Sequence, residues 1–219
     1  MTFWRILPHA TACMAGDAIV LLDIRQDRYF LVPSAIAMVT AAWLLAADDS
    51  APPAGFTTML VRSAIGRPGD AALTRERCAV SLPVTLEDRF ERKSIGFGQH
   101  ARIDGIVAAT WLGLRLTPLR AHLDRLARRG AGGPRLDQDR LRERIGVYRQ
   151  ARRFNPIARN CLLDSLALAR WLSAEGHPCR IVFGVTATPF AAHCWIQDDQ
   201  AILNDHYDRV SRFTPIFAS

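Results

Sequence analysis

Three side chains in the last third of the sequence have the types that covalent chemistry on an amide requires: Cys161, His193 and Asp205. A thiol without a base is chemically quiet at neutral pH. Cys161 stands where a polar lead-in, Arg159-Asn160, gives way to the helical pattern CLLDSLALARWLSA. That places it at a helix N-terminus, where unpaired N–H groups and the positive end of the dipole favour the thiolate. A histidine pairs with such a thiolate as an imidazolium and then protonates a leaving amine. An aspartate behind it fixes the tautomer and the orientation of the ring. Taken singly, each residue has a plainer reading: a core cysteine, a satisfied strand histidine, a turn aspartate. Their placement together is what points to catalysis.

The strand pattern FAAHCWIQ (190–197) sets the histidine's direction. Alternation puts His193 on one face with Ala191, Trp195 and Gln197, and turns Cys194 to the other. A three-residue turn, Asp198–Gln200, pairs Gln197 with Ala201. In that register His193 lies opposite Asp205 in the next strand, AILND (201–205), within about 5 Å between Cβ atoms. A two-residue turn would shift the register and put Asn204 there instead. CRIVFGVTA (179–187) is apolar on both faces and reads as a buried strand. The helix that begins at Cys161 has its stop at Gly176, with Pro178 beyond it.

The remaining polar and thiol groups near the site have weaker readings. The backbone N–H of Cys161 is the expected oxyanion donor, and no second donor emerges. Asn160 and Asp164 suit helix capping as readily as a site. Cys13, Cys78, Cys179 and Cys194 read as packing residues. Phe190 and Trp195 suit a substrate groove or a core. A zinc site built from His177, Cys179, His193, Cys194 and His206 lacks any C-x-x-C or H-x-x-x-H unit, so no metal is expected. The absence of a glycine-rich phosphate loop leaves no cofactor expected on this chain.

Upstream, AIVLLDIRQDRYFLV (18–32) reads as two strands around a polar turn at Arg25–Asp27. Pro33 breaks the strand, and Ser34 suits the cap of the helix AIAMVTAAWLLAA. DDSAPPAG (48–55) is a loop, followed by helices near 56–65 and 71–78. Strands and then small helices suggest a winged-helix-like module over 1–85. Residues 86–219 form the second domain, with an arginine-rich helical segment at 100–153 interrupted at Pro118 and at GAGGP (130–134).

At 219 residues, 49% hydrophobic and 22% charged, the chain belongs with folded globular proteins. Its net charge is +7, and of 28 basic residues only Lys93 is not arginine. A basic field of this kind attracts nucleic acid, anionic lipid or an acidic peptide. A winged-helix DNA-binding protein with an inert C-terminal domain is therefore one alternative. Against it, no helix within 34–78 concentrates basic residues as a recognition helix does. The start of the chain has no secretory signal pattern. Its longest uncharged stretch, Tyr29–Ala47, is split by Pro33-Ser34 and falls short of the ~20 residues of a spanning helix. Five scattered cysteines lack paired-loop spacing. The expectation is a cytoplasmic protein with reduced thiols and no membrane insertion.

The combined pattern CLLDSLALARWL, GHPCRIVFGV, PFAAHCWIQ and ILND resembles the C-terminal peptidase of lasso-peptide B proteins, of transglutaminase-like cysteine peptidase type. The match is close from Asn160 to about Asp205 and loose as far as FTPIF at 213–217. The family's catalytic cysteine, histidine and aspartate correspond to Cys161, His193 and Asp205. Family members usually carry a bulkier or alanine-like residue where Cys194 stands. The segment AIVLLDIRQDRYFLVPSAIAMV is similar to the family's winged-helix precursor-recognition element, which in some lineages is a separate protein.

The resemblance implies an α+β chain in which a winged-helix-like recognition module is fused to a transglutaminase/papain-like cysteine peptidase domain. It further implies a leader peptidase whose partners are a ribosomally made precursor peptide and an ATP-dependent macrolactam cyclase of asparagine-synthetase type. Nucleic acid is not among the implied partners. Acyl transfer of transglutaminase type, with the same three residues, is the sibling alternative.

Overall fold

The computed structural model describes residues 3–7, 9–46, 51–69, 80–86, 95–130 and 135–219. The chain is mixed α+β and divides into two compact units.

The first unit comprises Met1–Ala79 with Gly184–Ala192 and Phe213–Phe217. It opens with β1 (Phe3–Ile6), followed by an antiparallel meander of β2 (Ala10–Ala15), β3 (Ala18–Asp23) and β4 (Arg28–Leu31). Gly16 takes a φ of 60° in the two-residue turn between β2 and β3, a conformation that glycine adopts without steric cost. Helices α1 (Ser34–Leu45) and α2 (Ala54–Arg62) come next, and β5 (Gly66–Gly69) returns to pair antiparallel with β1. Alternate residues of β3, Ile19 and Leu21, bury against Trp43, Phe56 and Leu60 of the helices. The Trp43 and Phe56 rings meet with centroids 5.6 Å apart.

The hairpin expected over 18–32 is β3–β4, while β1, β2 and β5 had no expectation attached to them. Ser34 does not cap α1. Pro33, at φ −56°, occupies the N-cap position without a side-chain cap bond, and Ser34 is the first helical residue. The helix expected at 71–78 lies outside the described residues.

The second unit comprises Val80–Phe183, His193–Arg212 and Ala218–Ser219. It runs through β6 (Val84–Thr85), α3 (Phe97–Leu116), α4 (Leu119–Gly130), α5 (Gln138–Phe154) and α6 (Cys161–Ala174). Then come β7 (Arg180–Ala187), β8 (Phe190–Gln197), β9 (Ala201–Ile202), α7 (Tyr207–Val210) and β10 (Thr214–Ala218). The five-stranded sheet has the order β10-β7-β8-β9-β6, and β7, β8 and β10 have residues in both units.

Helix α6 is the centre of the second unit. Leu163, Ser165 through Ala169, Trp171 and Leu172 are all buried, and the helix packs on α3, α4 and α5. Helix α5 contributes Leu141, Ile145 and Tyr148, the i, i+4, i+7 stripe of an amphipathic helix. The α3–α4 break falls at Thr117-Pro118, where a break was expected, whereas residues 131–134 of the glycine run lie outside the described residues. Helix α6 ends as a Schellman motif. Gly176 has φ 85°, the His177 N–H donates to Leu172 O at 3.0 Å, and the Gly176 N–H donates to Ser173 O at 3.1 Å. Among the described residues, no helix is long and apolar enough to cross a membrane.

Candidate active site

Cys161 is the first residue of α6 and is exposed. Asn160 caps the helix, with extended backbone and a side-chain oxygen that accepts the Leu163 N–H at 2.7 Å. The loop that delivers this corner is tied down by one arginine. Arg152, only 2% exposed, donates from Nε to Asp164 Oδ1 at 2.6 Å and from Nη1 to Ile157 O at 2.8 Å. Its Nη2 donates to Ala158 O at 3.3 Å. A buried guanidinium is costly unless paired and fully hydrogen-bonded. Here the loop carbonyls and the Asp164 carboxylate meet that requirement, so the loop must hold one course. Asn155 adds a second tie, donating to Asp104 Oδ1 on α3 at 2.6 Å and accepting the Ile157 N–H at 3.0 Å.

His193, 8% exposed, makes a hydrogen bond between Nε2 and Asp205 Oδ2 at 2.5 Å. The other Asp205 oxygen accepts the His206 N–H at 2.8 Å. With Nε2 committed to the carboxylate, Nδ1 is the ring nitrogen left for Cys161, whose thiolate favours the imidazolium. Trp195 stacks on the His193 ring, with centroids 6.2 Å apart, and its indole N–H donates to Gln197 Oε1 at 2.9 Å. The Gln197 amide donates in turn to Ser81 O at 2.9 Å. These three side chains hold one face of β8, as strand alternation requires.

His193 and Asp205 therefore meet, but not through the register read from the sequence. Gln197 pairs with Ile202 rather than with Ala201. The Asp198 N–H donates to Ala201 O at 3.0 Å, so the turn consists of Asp199-Gln200 alone. The Asp198 carboxylate builds that turn by accepting the Gln200 N–H at 2.8 Å and the Ala201 N–H at 2.7 Å, which removes the need for glycine. Continued as a strand, this register would set His206 opposite His193, not the Asn204 expected of a two-residue turn, because the turn begins at Asp199 and not at Asp198. Strand β9 instead ends at Ile202, and residues 203–205 bend. Asn204 Oδ1 accepts the Ile196 N–H at 2.8 Å, and Asn204 Nδ2 donates to Ser165 Oγ at 2.9 Å. The bend turns the Asp205 carboxylate onto the imidazole.

Cys194 is buried, as a packing residue should be, but it also reaches the site. Both its thiol and its backbone favour the ionised form of Cys161. Its carbonyl accepts from Ser165 Oγ at 3.2 Å, one turn along α6 from Cys161. Alternation separates Cys194 from His193 across the strand. It carries no information about a helix end that touches the strand backbone.

These contacts set the protonation states. The Cys194 thiol first, and the His193 imidazole second, stabilise the Cys161 thiolate and pull its pKa down to about 4, against the opposing effect of burial. Burial by itself would lower the pKa of His193. Hydrogen bonds to Asp205 and Cys161 outweigh it and raise the pKa to about 9. Asp205 is held below the usual carboxylate range, because the bonds from His193 and the His206 N–H outweigh its burial. At neutral pH the site is a thiolate–imidazolium pair backed by a carboxylate.

The zinc donors considered from sequence do not converge. His177 pairs with Asp198 at 3.2 Å, and burial pushes the Cys179 thiol up to about 12. Among the described residues, no group of three metal-ligating side chains assembles.

In comparison with known proteins, the model of a family described as the Transglutaminase-like superfamily matches residues 106–218, just over half of the 219-residue chain. Neither the curated proteins nor the solved structures hold a match to it.

Proposed function

The chain belongs to the transglutaminase-like superfamily, and from that premise we propose that it is a cysteine peptidase that removes the leader of a ribosomally made precursor peptide in lasso-peptide maturation. The observation that carries the reading is the His193–Asp205 hydrogen bond together with Cys161 at the N-terminus of α6, the imidazolium and the thiolate each favouring the other's charged form.

In this reading the Cys161 thiolate attacks the scissile carbonyl carbon. The oxyanion forms beside the Cys161 N–H, which as the first amide of a helix has no intrahelical partner. His193 gives its Nδ1 proton to the leaving amine, and the neutral imidazole then draws a proton from water as that water attacks the thioester. Asp205 keeps the ring in one orientation through both steps. Hydrolysis frees the N-terminus of the core peptide, the amine on which an ATP-dependent cyclase of asparagine-synthetase type would close the macrolactam. Residues 1–85, read as a winged-helix-like element, take the leader-binding role.

The DNA-binding alternative needs an unneutralised basic face. Several described arginines are instead engaged within the fold. Arg102 and Arg144 share Glu175 at 3.3 and 3.4 Å, Arg135 and Arg180 share Asp199, and Arg115 lies over the Trp111 ring at 3.8 Å.

The test is incubation of the purified full-length chain with the precursor peptide encoded beside its gene, followed by mass spectrometry. The expected products are free leader and a core peptide with an unmodified N-terminus. A product in which the leader's new C-terminus is joined to an added amine would make the enzyme an acyltransferase. An intact precursor, in the presence of the cyclase and ATP, would overturn the assignment.

A further inference from the structure

We infer that Ser165 is a positioning residue for the candidate site, its buried hydroxyl joining the three segments that carry Cys161, His193 and Asp205. Those three are the reacting groups on the peptidase reading, on which the role of Ser165 rests. The Ser165 side chain is 0% exposed and follows Cys161 by four residues on α6. Positions i and i+4 share one face of a helix, so Ser165 lies one turn along from Cys161. Its hydroxyl donates to Cys194 O at 3.2 Å, on the residue after His193. It accepts from Asn204 Nδ2 at 2.9 Å, on the residue before Asp205. It also accepts the weaker Cys194 thiol donor, with 3.8 Å between sulfur and oxygen.

A serine hydroxyl has one hydrogen to give and two lone pairs, and Ser165 uses all three. A buried network with every member satisfied holds one geometry, whereas a half-satisfied one is costly. Packing does not call for this hydroxyl. Ser165 is the one hydroxyl among the buried residues of α6, and Leu166, Ala167, Leu168 and Ala169 follow it. Alanine is a better helix former than serine and buries no polar group, so helix and core alone would favour it here. What serine adds is the cross-link from the helix of the thiol to the strand of the imidazole and the bend of the carboxylate. Without it, Cys194 O and Asn204 Nδ2 each lose a partner, and α6 is free to shift against the other two segments.

Two measurements on the full-length chain test this, one with substrate and one without. In precursor cleavage, Ser165→Ala should lower kcat on the order of a hundredfold, the effect of misplacing a reacting group by about 1 Å. KM should stay unchanged, because a fully buried side chain touches no substrate. Without substrate, the rate of Cys161 alkylation by iodoacetamide is followed against pH on the tryptic peptide Asn160–Arg170. In Ser165→Ala the inflection should move up, toward the value of about 8.5 for a free cysteine, by about one pH unit or more. Ala169→Gly loosens the same helix at a buried position without touching the hydroxyl, so it should lower the melting temperature and leave the inflection in place. Should Ser165→Ala fail to fold, Ser165→Cys fills the space with a poor hydrogen-bonding group and should shift the inflection the same way, fragment spectra separating its two thiols. An unmoved inflection in a folded variant overturns the role of Ser165, whatever the cleavage assay shows. So does an equal shift in Ala169→Gly. A shifted inflection in a chain whose wild type leaves the precursor intact keeps the role of Ser165 and removes the peptidase reading alone.

Discussion

Asn204 takes the Ile196 N–H on its side-chain oxygen at 2.8 Å, and the next residue, Asp205, reaches His193 at 2.5 Å. The side chain of Asn204 stands where a strand backbone would have continued the ladder, and this substitution creates the bend. Asn204→Ala removes the acceptor for a backbone N–H on Ile196, which is 0% exposed, and the donor to Ser165. Leaving that N–H unpaired costs about 1–3 kcal/mol. With Asp205 misplaced, turnover should fall on the order of a hundredfold. Thermal melting and single-turnover rates test this together. Unchanged turnover with a lowered melting point would make Asn204 structural only.

Cys161→Ala should abolish cleavage while leaving the fold intact. The residue is exposed and α6 is capped by Asn160, so the stability change should stay within about 0.5 kcal/mol. Circular dichroism and precursor cleavage measure the two halves of that expectation. Full turnover by a folded Cys161→Ala protein would sink the nucleophile assignment.

His193→Ala should be more damaging than Asp205→Asn. Alanine removes the proton carrier outright, whereas asparagine leaves an imidazole that is oriented less well. Cleavage rates of the two variants at one pH decide it. An Asp205→Asn enzyme as fast as wild type would mean that the 2.5 Å contact does not orient the ring.

The pH profile should be a broad bell. Activity rises with pH as Cys161 loses its proton near pH 4 and falls as His193 loses its own near pH 9. Both limbs belong to the coupled pair. Asp205→Asn removes the group that raises the pKa of His193, so the alkaline limb should move to lower pH. Profiles of kcat/KM for both proteins test this, and an unmoved alkaline limb would detach Asp205 from the titration of His193.

The sequence made the positions of Cys161 and His193 legible for separate local reasons. Arg159-Asn160 before an apolar periodic run marks a helix start, and alternation in FAAHCWIQ fixes the face of His193. The route by which Asp205 arrives was not legible. It depends on Asp198 capping a two-residue turn and on Asn204 replacing a strand carbonyl, choices decided by side-chain hydrogen bonds rather than by hydrophobic period. Asp198 two residues before Gln200 was the available signal for the turn. Arg152 was hidden among thirteen arginines between Arg115 and Arg159, since nothing in its spacing marks it as the buried one.

Leader binding should be separable from cleavage. In the three-stranded sheet β2-β3-β4, β2 and β4 are the edge strands, and an extended peptide adds to a sheet at an edge through backbone hydrogen bonds. Gly184–Ala192 clusters with the first unit, and Phe190 meets Tyr29 of β4 edge-on at 5.8 Å. A fragment cut after residue 85 would lack that contact, so the full-length Cys161→Ala protein is the right test material. Labelled leader should bind it as tightly as it binds wild type in fluorescence anisotropy. In hydrogen exchange, leader should slow the amides of Ala10–Ala15 or Arg28–Leu31. Protection confined to the arginine-rich helix Leu119–Gly130 would move leader recognition to the second unit and overturn the assignment of residues 1–85.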